Sequence, residues 1–133
     1  MSETEKVSMN MNVVDLGHID LLVEQGFYTG RTDFLRTAIR NLLATHSETT
    51  KQAVLGRSFT VGIHVYSRQD LEKAREAGKQ LTIHVVGMLV IDSSVSVELA
   101  LATIHSLQVY GVFRASEAVK AALTSRMSRS DSA

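Results

Sequence analysis

Residues 6–13, Lys-Val-Ser-Met-Asn-Met-Asn-Val, alternate strictly between polar and apolar side chains, and no second strand stands beside them in the sequence. Val7, Met9, Met11 and Val13 fall on one face of an extended chain; Lys6, Ser8, Asn10 and Asn12 fall on the other. A period of two predicts a half-buried strand. Helical spacing follows at once, without a turn and a return strand. A lone strand leaves its backbone donors and acceptors unpaired, so it requires a partner from elsewhere. The simplest partner is the same strand of a second chain, and this restricts the N-terminal region to folds completed by dimerisation.

Asn12, with Asp15 three residues later, predicts a helix N-cap and its reciprocal partner. Leu16, Ile19, Leu22 and Val23 repeat at helical spacing up to Gly26, a C-terminal stop. A second helix is expected after Thr29-Gly30, with Gly30 as N-cap and Asp33 in the first turn, where the helix dipole favours an anion. Phe34, Leu35, Ala38, Ile39, Leu42 and Leu43 make a broad apolar stripe on it, and Arg36 and Arg40 lie off that stripe.

Strand, helix, glycine turn and helix within some forty residues are too few to hold a core alone. Residues 6–46 resemble the ribbon-helix-helix regulators of the CopG and Arc type, through the alternating strand, the Gly26-Phe27-Tyr28 turn and Arg31-Thr32-Asp33-Phe34-Leu35-Arg36. The resemblance implies an intertwined homodimer whose paired strands form a ribbon in the major groove of double-stranded DNA, where base pairs are distinguishable. It implies that Lys6, Ser8 and Asn10 read bases, Asn12 on the same face being better explained as the cap. It places phosphate at the start of the second helix, near Arg31 and Thr32, where backbone N–H groups point outward.

Composition bears on this expectation in both directions. The 133 residues carry 14 basic and 14 acidic side chains, a net charge of zero. Residues 1–46 set Lys6, Arg31, Arg36 and Arg40 against Glu3, Glu5, Asp15, Asp20, Glu24 and Asp33. Phosphate neutralisation supplies much of DNA affinity, so charge argues mildly against tight binding by a single module. The absence of cysteine excludes disulfides and thiolate metal sites. The polar, acidic start is unlike a signal peptide, and the run Val85–Ile91 is too short to span a bilayer; a cytoplasmic location without membrane contact is expected.

Residues 47–57 lose the apolar stripe and are expected to be a linker, and the Ser- and Arg-containing stretch 125–133 a disordered tail. Residues 58–124 between them repeat every 24 positions: Phe59, Ile83 and Leu107; Val61, Val85 and Val109; Val65, Leu89 and Phe113; Leu71, Val95 and Val119. Gly87 and Gly111 coincide too, as do Leu99 and Leu123. Each unit reads as strand, turn and helix, the helices falling at Asp70–Ala77, Val97–His105 and Ser116–Thr124. The expected fold class is therefore α+β, a ribbon-helix-helix module followed by a small α/β domain of three strand-helix repeats. That domain is either a short solenoid, similar in spacing to leucine-rich repeats though lacking their Asn, or a three-stranded parallel sheet with helices on one face.

This half offers little chemistry. His64 and His84 are out of register with the apolar columns and are expected to point outward. With His105 they are reminiscent of the histidine ligands of the regulator family's nickel-sensing branch, but the spacing differs. No catalytic grouping, metal site or cofactor is expected. The last repeat presents Ala118, Ala121 and Ala122, a small-residue surface with no polar cap after it, and these are the expected contacts of a higher oligomer. Three functions follow from these features: a DNA-binding repressor acting as dimer or higher oligomer, a structural protein assembling through its repeats, or an antitoxin with a toxin-binding C-terminal half.

Overall fold

A computed structural model describes residues 4–56 and 58–127. The chain is α+β, with six α-helices and a three-stranded parallel sheet among the described residues. It divides into two compact units, Met1–Gln52 and Ala53–Ala133.

In the first unit, residues 4–12 belong to no helix or strand and lead into α1 (Val13–Glu24). Asn12 Oδ1 accepts from the Val14 N–H at 2.8 Å and the Asp15 N–H at 3.4 Å, satisfying donors that no helical carbonyl reaches. Gly26, at φ +88°, ends the helix: its N–H donates to Val23 O and the Phe27 N–H to Leu22 O. That pair of bonds needs a left-handed residue where glycine sits. Helix α2 (Arg31–Thr45) follows, with Tyr28 and Phe34 in edge-to-face contact at 5.0 Å. Ile19 is the buried hydrophobic residue of this unit, and Ile39, Leu42 and Leu43 are exposed.

Residues 47–57, expected as a linker, are helical over Ser47–Gly56 (α3); Arg57 lies outside the described residues. Local bonds hold this helix in place of an apolar stripe: Gln52 Nε2 donates to Glu48 Oε1 at 3.1 Å, and Thr50 Oγ1 to Ser47 O at 3.0 Å. A helix held in this way shows no periodicity by which a sequence could reveal it.

The second unit alternates strand and helix: β1 (Thr60–Tyr66), α4 (Arg68–Glu76), β2 (Leu81–Ile91), α5 (Val97–Thr103), β3 (Ile104–Arg114) and α6 (Glu117–Leu123). The strands are parallel in the order β1-β2-β3. Ser67, Ser96 and Ser116 cap the three helices, each accepting from the backbone N–H three residues on. Helix α5 stops at Thr103, short of the expected His105, because the chain passes directly into β3.

The 24-residue columns hold between β2 and β3, where Val85 pairs with Val109, Gly87 with Gly111 and Leu89 with Phe113. Between β1 and β2 the offset is 25, so Gly62 pairs with Gly87 and Val61 with Val86 rather than Val85. A one-residue slip in a strand exchanges its faces. Val61 is accordingly 68% exposed while Val85 is 1% exposed, and His64 takes the place in the Leu89–Phe113 row that the columns gave to Val65. Leu71, Val85, Leu89, Leu99, Leu107, Val119 and Leu123 form one core between the helices and this side of the sheet.

Gly62, Gly87 and Gly111 form a row across the sheet with φ of +132°, +135° and +122°. A β-carbon on Gly87 would fall on the Gly62 carbonyl oxygen, and one on Gly111 on the Gly87 oxygen. Only glycine fits these crossings.

Residues 125–127, expected to be part of a disordered tail, are structured. Residues 124–126 form a 3₁₀ turn, and Met127 pairs with Leu107. Arg126 Nη1 donates to Leu101 O at 2.5 Å and Ile104 O at 2.8 Å, supplying donors to carbonyls at the end of α5. Residues 128–133 lie outside the described residues.

Candidate nucleic-acid interface

Lys6, Ser8 and Asn10 are all exposed. Their alternates behave differently: Met9 and Met11 line a concavity of 410 Å³ together with Ile19, Leu22, Phe34 and Leu35. Asp15 and His18 stand at the same concavity, so it is apolar with a polar margin. The polar side chains of the segment do not line it. Even so, Val7 remains 85% exposed and Met9 74% exposed. Large apolar side chains left this open cost free energy in water, on the order of 1.5–3 kcal/mol each against full burial.

At the start of α2, the first helical bond is Phe34 N–H to Gly30 O at 3.1 Å. The amides of Arg31, Thr32 and Asp33 precede it, and Gly30 provides no capping side chain. Asp33 Oδ2 turns back to accept from the Thr29 N–H at 3.0 Å. This leaves a helix N-terminus without a side-chain cap, the ordinary setting for an anion.

Arg31 and Thr32 are both exposed there, but Arg31 is engaged in a way its sequence context did not announce. Its Nε and Nη2 donate to Asp20 Oδ1 and Oδ2, both at 2.8 Å. The hydrogen bond from Arg31 holds the Asp20 carboxyl below its ordinary range, and the same bond raises the Arg31 guanidinium. Asp20 and Arg31 stand eleven residues apart on either side of the glycine turn, a separation that no helical or strand period singles out. The fork uses two of the five guanidinium N–H groups, and the others stay available to a phosphate oxygen.

A model of the Ribbon-Helix-Helix transcriptional regulator family matches residues 2–120. The chain belongs to this family. No curated protein and no solved structure matches it. Ribbon-helix-helix regulators typically bind DNA as dimers, and the match extends past the N-terminal unit through β3 and into α6. All three strands thus fall within the matched region.

The remaining residues singled out by sequence lie in the second unit. Ala118 and Ala121 are exposed on α6 and Ala122 is half-buried. His64 does not point outward as expected, whereas His84 lies on the side of β2 opposite the buried Val85 and Leu89. His64 is half-buried in the row of Leu89 and Phe113, with Nε2 buried and lacking a hydrogen-bond partner. His84 stacks at 5.2 Å from Phe59. The 25-residue offset is the reason for His64, since it turns that side chain to the helix-covered side. Among the described residues no group of three or more His, Asp or Glu is placed to hold a metal ion. No helix among them is long and apolar enough to cross a membrane.

Proposed function

We propose that this regulator is a sequence-specific repressor, in which residues 6–13 pair with the same strand of a second copy and the resulting ribbon enters the major groove. Lys6, Ser8 and Asn10 then read base edges, with Asn10 suited to bidentate pairing with adenine and Lys6 to guanine. Arg31, Thr32 and the leading amides of α2 hold phosphate and fix the register. The observation that carries this reading is the division of one segment: Met9 and Met11 turn into an apolar concavity that one chain leaves open, while Lys6, Ser8 and Asn10 stay in solvent. A second copy supplies the missing cover and the missing ladder together.

The scarcity of basic residues makes single-site binding weak at physiological salt, because few counterions are released. Contacts between dimers on adjacent sites raise avidity without new base contacts, and the exposed Ala118 and Ala121, with Ala122 beside them, are the proposed seat of those contacts. The test is Asn10→Ala in a binding titration against DNA containing the gene's own upstream region. The substitution is expected to lower discrimination against random DNA by about 1–3 kcal/mol with the fold unchanged, whereas Arg31→Ala weakens binding evenly across sequences. Unaltered discrimination by Asn10→Ala removes the base-reading role.

A further inference from the structure

The C-terminal sheet has two apolar faces, and its helices cover one. The register stacks the other face into three rows: Val61, Val86 and Tyr110; Ile63, Met88 and Val112; Val65, Val90 and Arg114. Eight of these nine side chains are apolar or aromatic. Val61, Ile63, Val65 and Tyr110 are exposed, and Met88 in the centre is buried by its neighbours. Phe59 closes one end, its ring 5.2 Å from His84 and 5.3 Å from Tyr110. All-parallel sheets occur almost only with both faces covered, and contiguous apolar patches of this kind mark interaction surfaces.

We propose that this open face packs against the same face of a second copy of the chain. Two arguments select that occupant. The face carries a single charged side chain, Arg114 at a corner, so it complements neither a nucleic acid nor a charged peptide, but does complement another neutral apolar surface. In addition, a dimer joined through its N-terminal units brings two such sheets together at high effective concentration, and a two-fold axis presents identical patches to each other. This last point rests on the dimer proposed above; the composition of the face does not.

The sequence contains no cysteine, so single cysteines report the contact in the full-length protein. Ile63→Cys and Val65→Cys are expected to form disulfide-linked dimers under mild oxidation, while Glu76→Cys on the exposed side of α4 stays unlinked. Linking at 63 and 65 no faster than at 76 overturns the proposal. So does protection of those thiols from alkylation without linking, which assigns the face to another occupant. Val65 is 61% exposed in one chain, so Val65→Lys leaves the fold of that chain intact. It is expected to abolish linking through Ile63→Cys and to lower the thermal midpoint of the C-terminal unit by several degrees; unchanged linking and midpoint overturn the proposal. DNA binding measured on the same proteins separates the two readings. Linking without operator binding removes the ribbon reading alone, and operator binding by an unlinked dimer removes this one alone.

Discussion

The two units solve the problem of an apolar core in opposite ways. The N-terminal unit buries one hydrophobic residue, Ile19, and leaves Val7, Met9, Ile39, Leu42 and Leu43 open. The C-terminal unit buries Leu71, Leu89, Leu107, Val119 and Leu123 to less than 2% exposure within one chain. Hydrophobic burial is the main favourable term in folding, so the second unit obtains its stability mostly within one chain, and the proposed dimer supplies the first with burial between chains. With that dimer, the stability of the first unit is expected to rise with protein concentration, as it does for obligate dimers.

The largest expected effect strikes the self-sufficient unit. Gly87→Ala places a methyl group against the Gly62 carbonyl at a φ of +135°. Backbone strain and overpacking each cost about 1–3 kcal/mol, so the C-terminal unfolding transition is expected to fall sharply or vanish, while α1 and α2 still dimerise. Differential scanning calorimetry on the full-length protein measures this. An unshifted C-terminal transition means that the glycine row is not required, and the contrast between the units weakens.

A smaller effect is expected from Asn12→Ala, which removes the cap of α1 at a cost of about 0.5–2 kcal/mol. Its signature is selective. The N-terminal transition drops, remains dependent on protein concentration, and the C-terminal transition stays in place. Denaturant titration at two protein concentrations tests this, and equal loss in both transitions contradicts the separation of the units.

The smallest effect concerns Asp20 and Arg31. The ion pair is exposed, so its contribution is modest. Because the hydrogen bond from Arg31 holds the Asp20 carboxyl below its ordinary value of 3.8, the pair contributes fully above that value. The contribution is lost as pH falls from there through the lower folded-state value. The difference in thermal midpoint between wild type and Asp20→Asn should therefore shrink on acidification through this range. A difference that persists at the lowest pH means that Asp20 acts through something other than its charge.

Much of this architecture was legible in the sequence, and the failures have a common cause. Asn12, Gly26 and the Arg31 start of α2 were readable because caps and stops are local chemistry. The columns of β2 and β3 were readable because two strands of eleven residues share one offset. Strand β1, Thr-Val-Gly-Ile-His-Val-Tyr, was assigned to the wrong face. Its neighbour β2 has apolar residues on both faces, so hydrophobic pattern alone fixes no register there. One residue more in the first crossover accounts for both the outward valines and the inward His64. The Asp20–Arg31 pair was invisible for another reason: it crosses a turn, and its partners belong to different periodic elements.

The glycine row also gives the sheet a direction. The missing β-carbons of Gly87 and Gly111 would meet the carbonyl of the strand before, never that of the strand after, and that of Gly62 would meet nothing. A further strand laid beside β1 in the same geometry finds Gly62 already in place opposite its carbonyl. A strand laid beside β3 must bring a glycine of its own to pass the Gly111 carbonyl. Growth of the sheet is thus open to almost any sequence at one edge and restricted to a single residue type at the other.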